Sequence, residues 1–165
     1  MKVRAYVLLF LVGLLAASAG TKDAKPTEGI NPGDLAPRIE FLENENNFSF
    51  QNSKGRYTLL NFWAAYDAES RVRNVQLWNE VNKLGSDKIA MYSISFDEKK
   101  SIFTETVKAD KLEGTKQFHE ALGKKSDLFG KYHLQKGFRN FLIDENGVII
   151  ATNITTKDLK ALERI

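Results

Sequence analysis

Residues Leu59 to Ala64 form a nearly continuous apolar run, Leu-Leu-Asn-Phe-Trp-Ala, bounded by Gly55 on one side and a turn on the other. A run of this kind reads as a strand buried on both faces, which needs packing layers above and below its sheet. Directly afterwards the spacing becomes helical. Val72, Val75, Trp78, Val81 and Leu84 recur at three-residue steps, with Leu77 beside them and Gly85 just past the end. That is the pattern of an amphipathic helix with a glycine stop.

The same grammar continues downstream. Ile89 to Phe96 reads as a second strand, followed by Asp97 as N-cap of a helix that buries Ile102, Phe103, Thr106 and Val107. A short helix near Ser126 to Tyr132 buries Leu128 and Phe129. Phe138 to Ile143 and Val148 to Thr152 are two strands joined by an Asn146-Gly147 hairpin turn, and Thr155 with Asp158 marks a capped final helix carrying Leu159 and Leu162. Upstream, Ile39 and Phe41 alternate on one face, as do Phe48 and Phe50, with Asn44-Glu45-Asn46-Asn47 between; these predict a hairpin-like N-terminal extension. The expected fold is α/β, with a mixed central sheet covered by helices.

A chain of 165 residues, 42% of them hydrophobic, can bury the core of one such domain and is too short for two. The first 19 residues stand apart. Lys2 and Arg4 precede an apolar run from Ala5 to Ala17, and Ala17-Ser18-Ala19 fits a small-x-small cleavage site, the pattern of a secretory signal peptide cut after Ala19. As a helix this run would extend about 20 Å, short of the roughly 30 Å hydrocarbon layer, so an uncleaved membrane anchor is the secondary expectation. Residues 20–33, with Pro26, Gly29, Pro32 and Gly33, read as a flexible linker, and the domain is expected over 34–165. The expected location is periplasmic or secreted. Removing Lys2 and Arg4 from the 24 basic residues leaves one more base than the 21 acids, so no basic stripe supports nucleic-acid binding.

Cysteine is absent from the whole chain. This bears directly on the turn after the first strand, Phe62-Trp63-Ala64-Ala65-Tyr66-Asp67-Ala68-Glu69-Ser70-Arg71. The turn resembles the active-site segment of thioredoxin-like proteins, Trp-Ala-x-x-Cys-x-x-Cys-Arg, with Trp63, Ala64 and Arg71 retained and Asp67 and Ser70 at the two sulfur positions. The Gly33-Asp34-Leu35-Ala36-Pro37-x-x-x-Phe41 opening is similar to that of the extracytoplasmic TlpA, ResA and AhpC/TSA types. So is Tyr132-x-Leu134 leading to Phe141-Leu142-Ile143-Asp144-x-x-Gly147. The resemblance covers residues 33–165 and implies a thioredoxin-like fold with thiol-disulfide chemistry.

Thiol-disulfide exchange needs an attacking thiolate and a mixed disulfide, so this chain cannot perform it by that route. The family's cis-proline falls at Phe138, where a cis bond before a non-proline residue would cost about 2.5 to 4 kcal/mol, and a trans peptide is expected. Arg73 and Val75 stand where the family often has Glu and a helix-kinking Pro. The active-site positions Trp63, Tyr66, Asp67, Ser70 and Phe138 are therefore degenerate, and no catalytic residue is assigned.

Asp67 suits a helix N-terminus as an N-cap, and Ser70 suits a first-turn hydroxyl bonded locally. In the functional alternative, Asp67 and Glu69 form an acidic docking point or weak cation site, with Tyr66 and Phe138 completing a binding surface. Trp63 is either core or an anchor of that patch. His119 and His133 lack metal-binding spacing, Gly114-Thr115-Lys116 lacks phosphate-loop spacing, and a triad of Ser70, a histidine and Asp67 can be drawn only on paper. Asn47-Phe48-Ser49 and Asn153-Ile154-Thr155 match the glycosylation acceptor pattern.

The sequence thus predicts a non-catalytic binding or structural module, without cofactor or metal, whose partner is an envelope or secreted protein. The alternative is an oxidoreductase that acts only with cysteines supplied by a partner.

Overall fold

The computed structural model of the chain describes residues 25–39, 55–85 and 87–162. The expected signal segment and most of the expected N-terminal hairpin, with Phe41, Phe48 and Phe50, lie outside the described residues. The elements are β1 (Tyr57–Trp63), α1 (Ala68–Leu84), β2 (Ile89–Ser95), α2 (Lys100–Ala109), β3 (Gln117–His119), α3 (Asp127–Lys131), β4 (Asn140–Ile143), β5 (Ile149–Thr152) and α4 (Thr156–Leu162). Single 3₁₀ turns occupy Gly123–Lys125 and Leu134–Lys136.

The five strands form one mixed sheet in the order β3-β2-β1-β4-β5. β1 is central, parallel to β2 and antiparallel to β4, with Leu60 opposite both Tyr92 and Phe141. Strand alternation divides the core in two. Leu60, Phe62, Ile94, Phe96, Phe141 and Ile143 face a layer made by Leu128, Tyr132 and Leu134, whereas Leu59, Met91 and Leu142 face Leu77, Trp78, Val81, Leu84 and Leu159. In the first layer Phe62 lies 4.7 Å from Tyr132 between ring centroids, and the Tyr132 hydroxyl donates to the Pro37 carbonyl at 2.7 Å.

The face of α1 differs from the three-step expectation. Each step of three residues turns about 60° short of a full circle, so such a series winds around the helix instead of following one side. The buried set is Ser70, Asn74, Leu77, Trp78, Val81 and Leu84, with Glu80 at its margin, while Val72 is exposed. Gly85, at φ 88°, ends the helix as expected.

α2 also differs. Asp97 is not its cap: the N-cap is Lys99, which makes no side-chain capping bond, and Ile102 is exposed rather than buried. The β4–β5 connection is a turn from Asp144 to Gly147, closed by Gly147 N–H to Asp144 O at 3.1 Å. Asn146 keeps negative φ and Gly147 takes φ 84° as the turn's last residue, while Asp144 Oδ1 accepts from Asn146 N–H and Val148 N–H. α4 begins as expected, with Asp158 Oδ2 accepting from the Thr155 amide and hydroxyl.

The described part of the expected linker is tied to this hairpin. Gly33 N–H donates to Ile149 O at 2.8 Å, Ile149 N–H to Asp34 O at 2.8 Å, and Ala36 N–H to Gly147 O at 2.9 Å. Gly29 and Leu35 are also bonded within the segment, through Gly29 N–H to Leu35 O and Leu35 N–H to Thr27 O. Among the described residues, these backbone bonds thus reach upstream of Asp34 to Thr27.

Candidate functional site: the turn between β1 and α1

Parallel β1 and β2 both end at one edge of the sheet, and antiparallel β4 begins there. This topology brings three loops together: Ala64 to Asp67, Phe96 to Lys99, and Gly137 to Arg139. Backbone bonds join them, from Phe96 N–H to Trp63 O at 2.9 Å and from Phe62 N–H to Arg139 O at 3.1 Å.

Asp67 is the N-cap of α1. Its Oδ1 accepts from Ser70 N–H at 2.8 Å, and its carbonyl accepts from Arg71 N–H at 3.0 Å. The carboxylate thereby meets an exposed N–H group at the positive end of the helix dipole. Ser70 is buried; its hydroxyl donates to the Asp67 carbonyl at 3.1 Å and lies 3.4 Å from Ala64 N. Asp67 and Ser70 are thus joined by capping and backbone contacts.

Asp97 holds the turn from below, a role that its position before a helical pattern disguised as capping. It is buried at 2% exposure, with both carboxylate oxygens 3.0 Å from Ala65 N and Oδ2 accepting from Ser95 Oγ at 2.7 Å. Arg73 bridges to the third loop, donating from Nη2 to the Phe138 carbonyl at 2.7 Å. Its Nη1 lies 3.5 Å from the exposed carboxylate of Glu69, one helical turn away. Burial lowers the guanidinium's pKa, opposed by the charges of Glu69 and Asp67. Arg71 makes a bidentate pair with Asp110, at 2.8 and 2.6 Å, which ties the start of α1 to the end of α2 and raises the Arg71 pKa. An open groove of about 430 Å³ lies beside this pair, lined by Arg71, Ile102, Glu105 and Thr106 among others.

The structure brings Tyr66 and Phe138 together, with ring centroids 6.1 Å apart. Phe138 also packs against Phe96 at 5.9 Å and Phe129 at 6.2 Å, so the exposed Tyr66 ring rests on a chain of aromatics that reaches the core. Lys124 Nζ lies 5.2 Å from the Tyr66 ring centroid. Partial burial, then Asp97, Asp67 and Glu98, raise the Tyr66 pKa above its ordinary value, so the phenol stays neutral at physiological pH. The bond preceding Phe138 is trans, as are all peptide bonds among the described residues.

Trp63 takes the core position of its two readings, fully buried against Phe103. His119 stacks on Phe103 at 5.3 Å, and its Nε2 is 2.6 Å from the Asp97 carbonyl. His133 lies elsewhere, at φ 50° before the second 3₁₀ turn. With the Ser70 hydroxyl engaged by backbone and His119 by Asp97, the paper triad has no counterpart in the geometry. Among the described residues no three His, Cys, Asp or Glu side chains are grouped to hold a metal ion. Lys124 and the bridge from Arg73 to Phe138 escaped the sequence reading because each depends on residues far apart in the chain.

A crystal structure of a thioredoxin-like protein from Parabacteroides distasonis is 67% identical in sequence, covering 86% of this chain and all of that one, with a TM-score of 0.79. This chain is a thioredoxin-like protein. A thiol-disulfide oxidoreductase from Bacteroides fragilis is similar at 27% identity and a TM-score of 0.62, covering 79% of this chain and 98% of that one. The thioredoxin-like protein YneN of Bacillus subtilis is 28% identical over 161 residues, 96% of this chain and 92% of its own length. No protein-family model matches the sequence. The chain therefore has the thioredoxin-like fold of these relatives and no cysteine to carry out thiol chemistry.

Proposed function

We propose that this thioredoxin-like protein is an exported, non-catalytic binding module that recognises an envelope or secreted protein through Tyr66, Asp67, Glu69 and Phe138. The observation that carries this reading is the exposed Tyr66 ring, backed by Phe138 and flanked by the Asp67 cap at the site where thiol chemistry would otherwise occur. A rigid aromatic on a packed base is the usual form of an interface anchor. Because a thiolate is required for exchange, the same turn offers recognition without turnover. Export is supported by the basic start, apolar run and Ala17-Ser18-Ala19 of the first 19 residues. Among the described residues no helix is long and apolar enough to cross a membrane.

Crosslinking and affinity capture from native cell envelopes tests this, comparing wild type with Tyr66→Ala and with the double variant Tyr66→Ala, Asp67→Lys. A partner held by wild type and lost by both variants, each with unchanged circular dichroism, is the expected result. Equal capture by all three would overturn the surface assignment. Reduction of insulin disulfides or of a hydroperoxide by the pure protein, above a buffer control, would overturn the non-catalytic reading.

A further inference from the structure

The chain beyond β3 reaches the Tyr66 ring because of a glycine. Gly123 has φ 53°, in the left-handed region, and a Cβ there would meet the Phe96 carbonyl oxygen at 3.1 Å and Glu98 Cγ at 3.0 Å. Without a side chain, the 3₁₀ turn Gly123–Lys125 lies directly against the loop that follows β2. Its position is held by Gly123 N–H to Glu120 O at 3.0 Å and by Ser126 N–H to Gly123 O at 3.2 Å. Lys124 is thereby carried to the exposed Tyr66 ring, with Nζ 5.2 Å from the centroid. The negative face of an aromatic ring attracts an ammonium so placed.

That single ammonium faces a larger negative charge. After burial, it is Asp97, Asp67 and Glu98 that raise the phenol's pKa, so three carboxylates bear on the ring. Asp97 and Asp67 accept from N–H and O–H groups, which leave their negative charge in place. Among the described residues neither these three carboxylates nor Lys124 takes part in an ion pair. Glu69 stands outside this balance, having its own cation in Arg73 at 3.5 Å. The Tyr66 ring therefore lies in a field that favours positive charge over it, and the protein's own Lys124 supplies that charge on a flexible four-carbon stem.

We propose that the partner recognised at this surface presents a cationic side chain, arginine or lysine, that takes the place of the Lys124 ammonium over the Tyr66 ring. This rests on the reading of Tyr66 as the recognition surface and names the chemistry of its partner. Lys124 is then an internal competitor: it covers the ring in the free protein and leaves to solvent when the partner's cation arrives. Arginine suits the place better than lysine, because a planar guanidinium stacks on an aromatic face and is more weakly hydrated than an ammonium.

The test titrates the full chain with acetyl-Gly-Arg-Gly-amide, its neutral citrulline counterpart and acetyl-Gly-Glu-Gly-amide, followed by NMR at the Tyr66 ring protons. The arginine peptide is expected to give saturable shifts there, and the other two none at the same concentrations. Binding should be about two- to fivefold tighter in Lys124→Ala, which removes a competing cation–π contact, and weaker in Glu98→Gln. Both side chains are exposed, so both variants should keep the wild-type circular dichroism. No arginine-dependent shift, an equal response to citrulline, a response to the glutamate peptide alone, or weaker binding in Lys124→Ala would overturn the inference. Capture from native envelopes separates it from the reading on which it rests. A partner lost with Tyr66→Ala but held less firmly by Lys124→Ala than by wild type leaves the surface assigned and overturns its cationic partner. Capture unaffected by Tyr66→Ala overturns the surface and the inference together.

Discussion

Arg73 Nη2 donates to the carbonyl of Phe138 at 2.7 Å, joining the first turns of α1 to the loop that enters β4. Arg73 stands where the resemblance would place an acid, and Phe138 where it would place a cis-proline. The two departures are thus physically linked. The guanidinium satisfies a carbonyl in a loop whose backbone is trans, and Phe138 fills the space over Phe96 that supports Tyr66.

Replacing Arg73 with Met keeps much of the apolar stem and removes the donor. The Phe138 carbonyl then loses a charged partner, at an expected cost of about 1 to 3 kcal/mol. Urea denaturation should show a lower midpoint with an unchanged slope, and the Tyr66 environment should loosen in near-ultraviolet circular dichroism. An unchanged midpoint would mean that the loop is held without this bond.

Asp67→Ala should cost about 1 kcal/mol through loss of the N-cap, while Asp67→Asn or Asp67→Ser should retain most of the stability. Thermal unfolding of the three variants checks the ranking. If Ala and Asn are equal, the carboxylate position is set by something other than the cap.

Asp97→Ala should be the more severe change, because it leaves the half-buried Ala65 amide and the buried Ser95 hydroxyl without their acceptor. An unsatisfied buried group costs about 1 to 3 kcal/mol, a penalty that falls in full on the Ser95 hydroxyl and in part on the Ala65 amide. Hydrogen exchange at Ala65 should accelerate before global unfolding does.

Burial pushes the Tyr132 phenol well above its ordinary value of 10.0, assisted by the charge of Glu28. The folded state therefore keeps this proton where the unfolded chain releases it. Stability from this group is complete below about pH 10 and declines as pH rises further. Tyr132→Phe should lose about 1 kcal/mol at neutral pH with the hydrogen bond to Pro37, and should flatten the alkaline decline. Denaturation midpoints between neutral and strongly alkaline pH measure both effects.

Much of the fold was legible because apolar pattern and turn chemistry agreed locally. Leu59 to Trp63, the Phe141 to Ile143 strand and the Thr155-Asp158 helix start all carry their own signals. β3 was missed, since Gln117-Phe118-His119 is a three-residue edge strand whose identity comes from pairing with Ser93 to Ser95. Val72 was misplaced because valine is apolar wherever it sits, whereas the buried face of α1 includes Ser70 and Asn74, whose polar atoms find protein partners only once the chain has folded. At the site, Asp67 as a cap could be read from residue type and position. Asp97 could not, because its acceptor role depends on the end of β2 lying beside the end of β1, a relation written in topology.

The central claim is that recognition uses the Tyr66 surface, and site-specific photocrosslinking tests it most directly. A photoreactive phenylalanine analogue at Tyr66 can be compared with one at Val72, because the two residues are 56% and 55% exposed. Val72 lies on the solvent side of α1, apart from the pairing of Tyr66 with Phe138. Irradiation of intact cells should give a discrete crosslinked envelope or secreted protein from position 66 and none from position 72. The same product from both positions, or a product from position 72 alone, would contradict the account, as would the absence of any product at position 66.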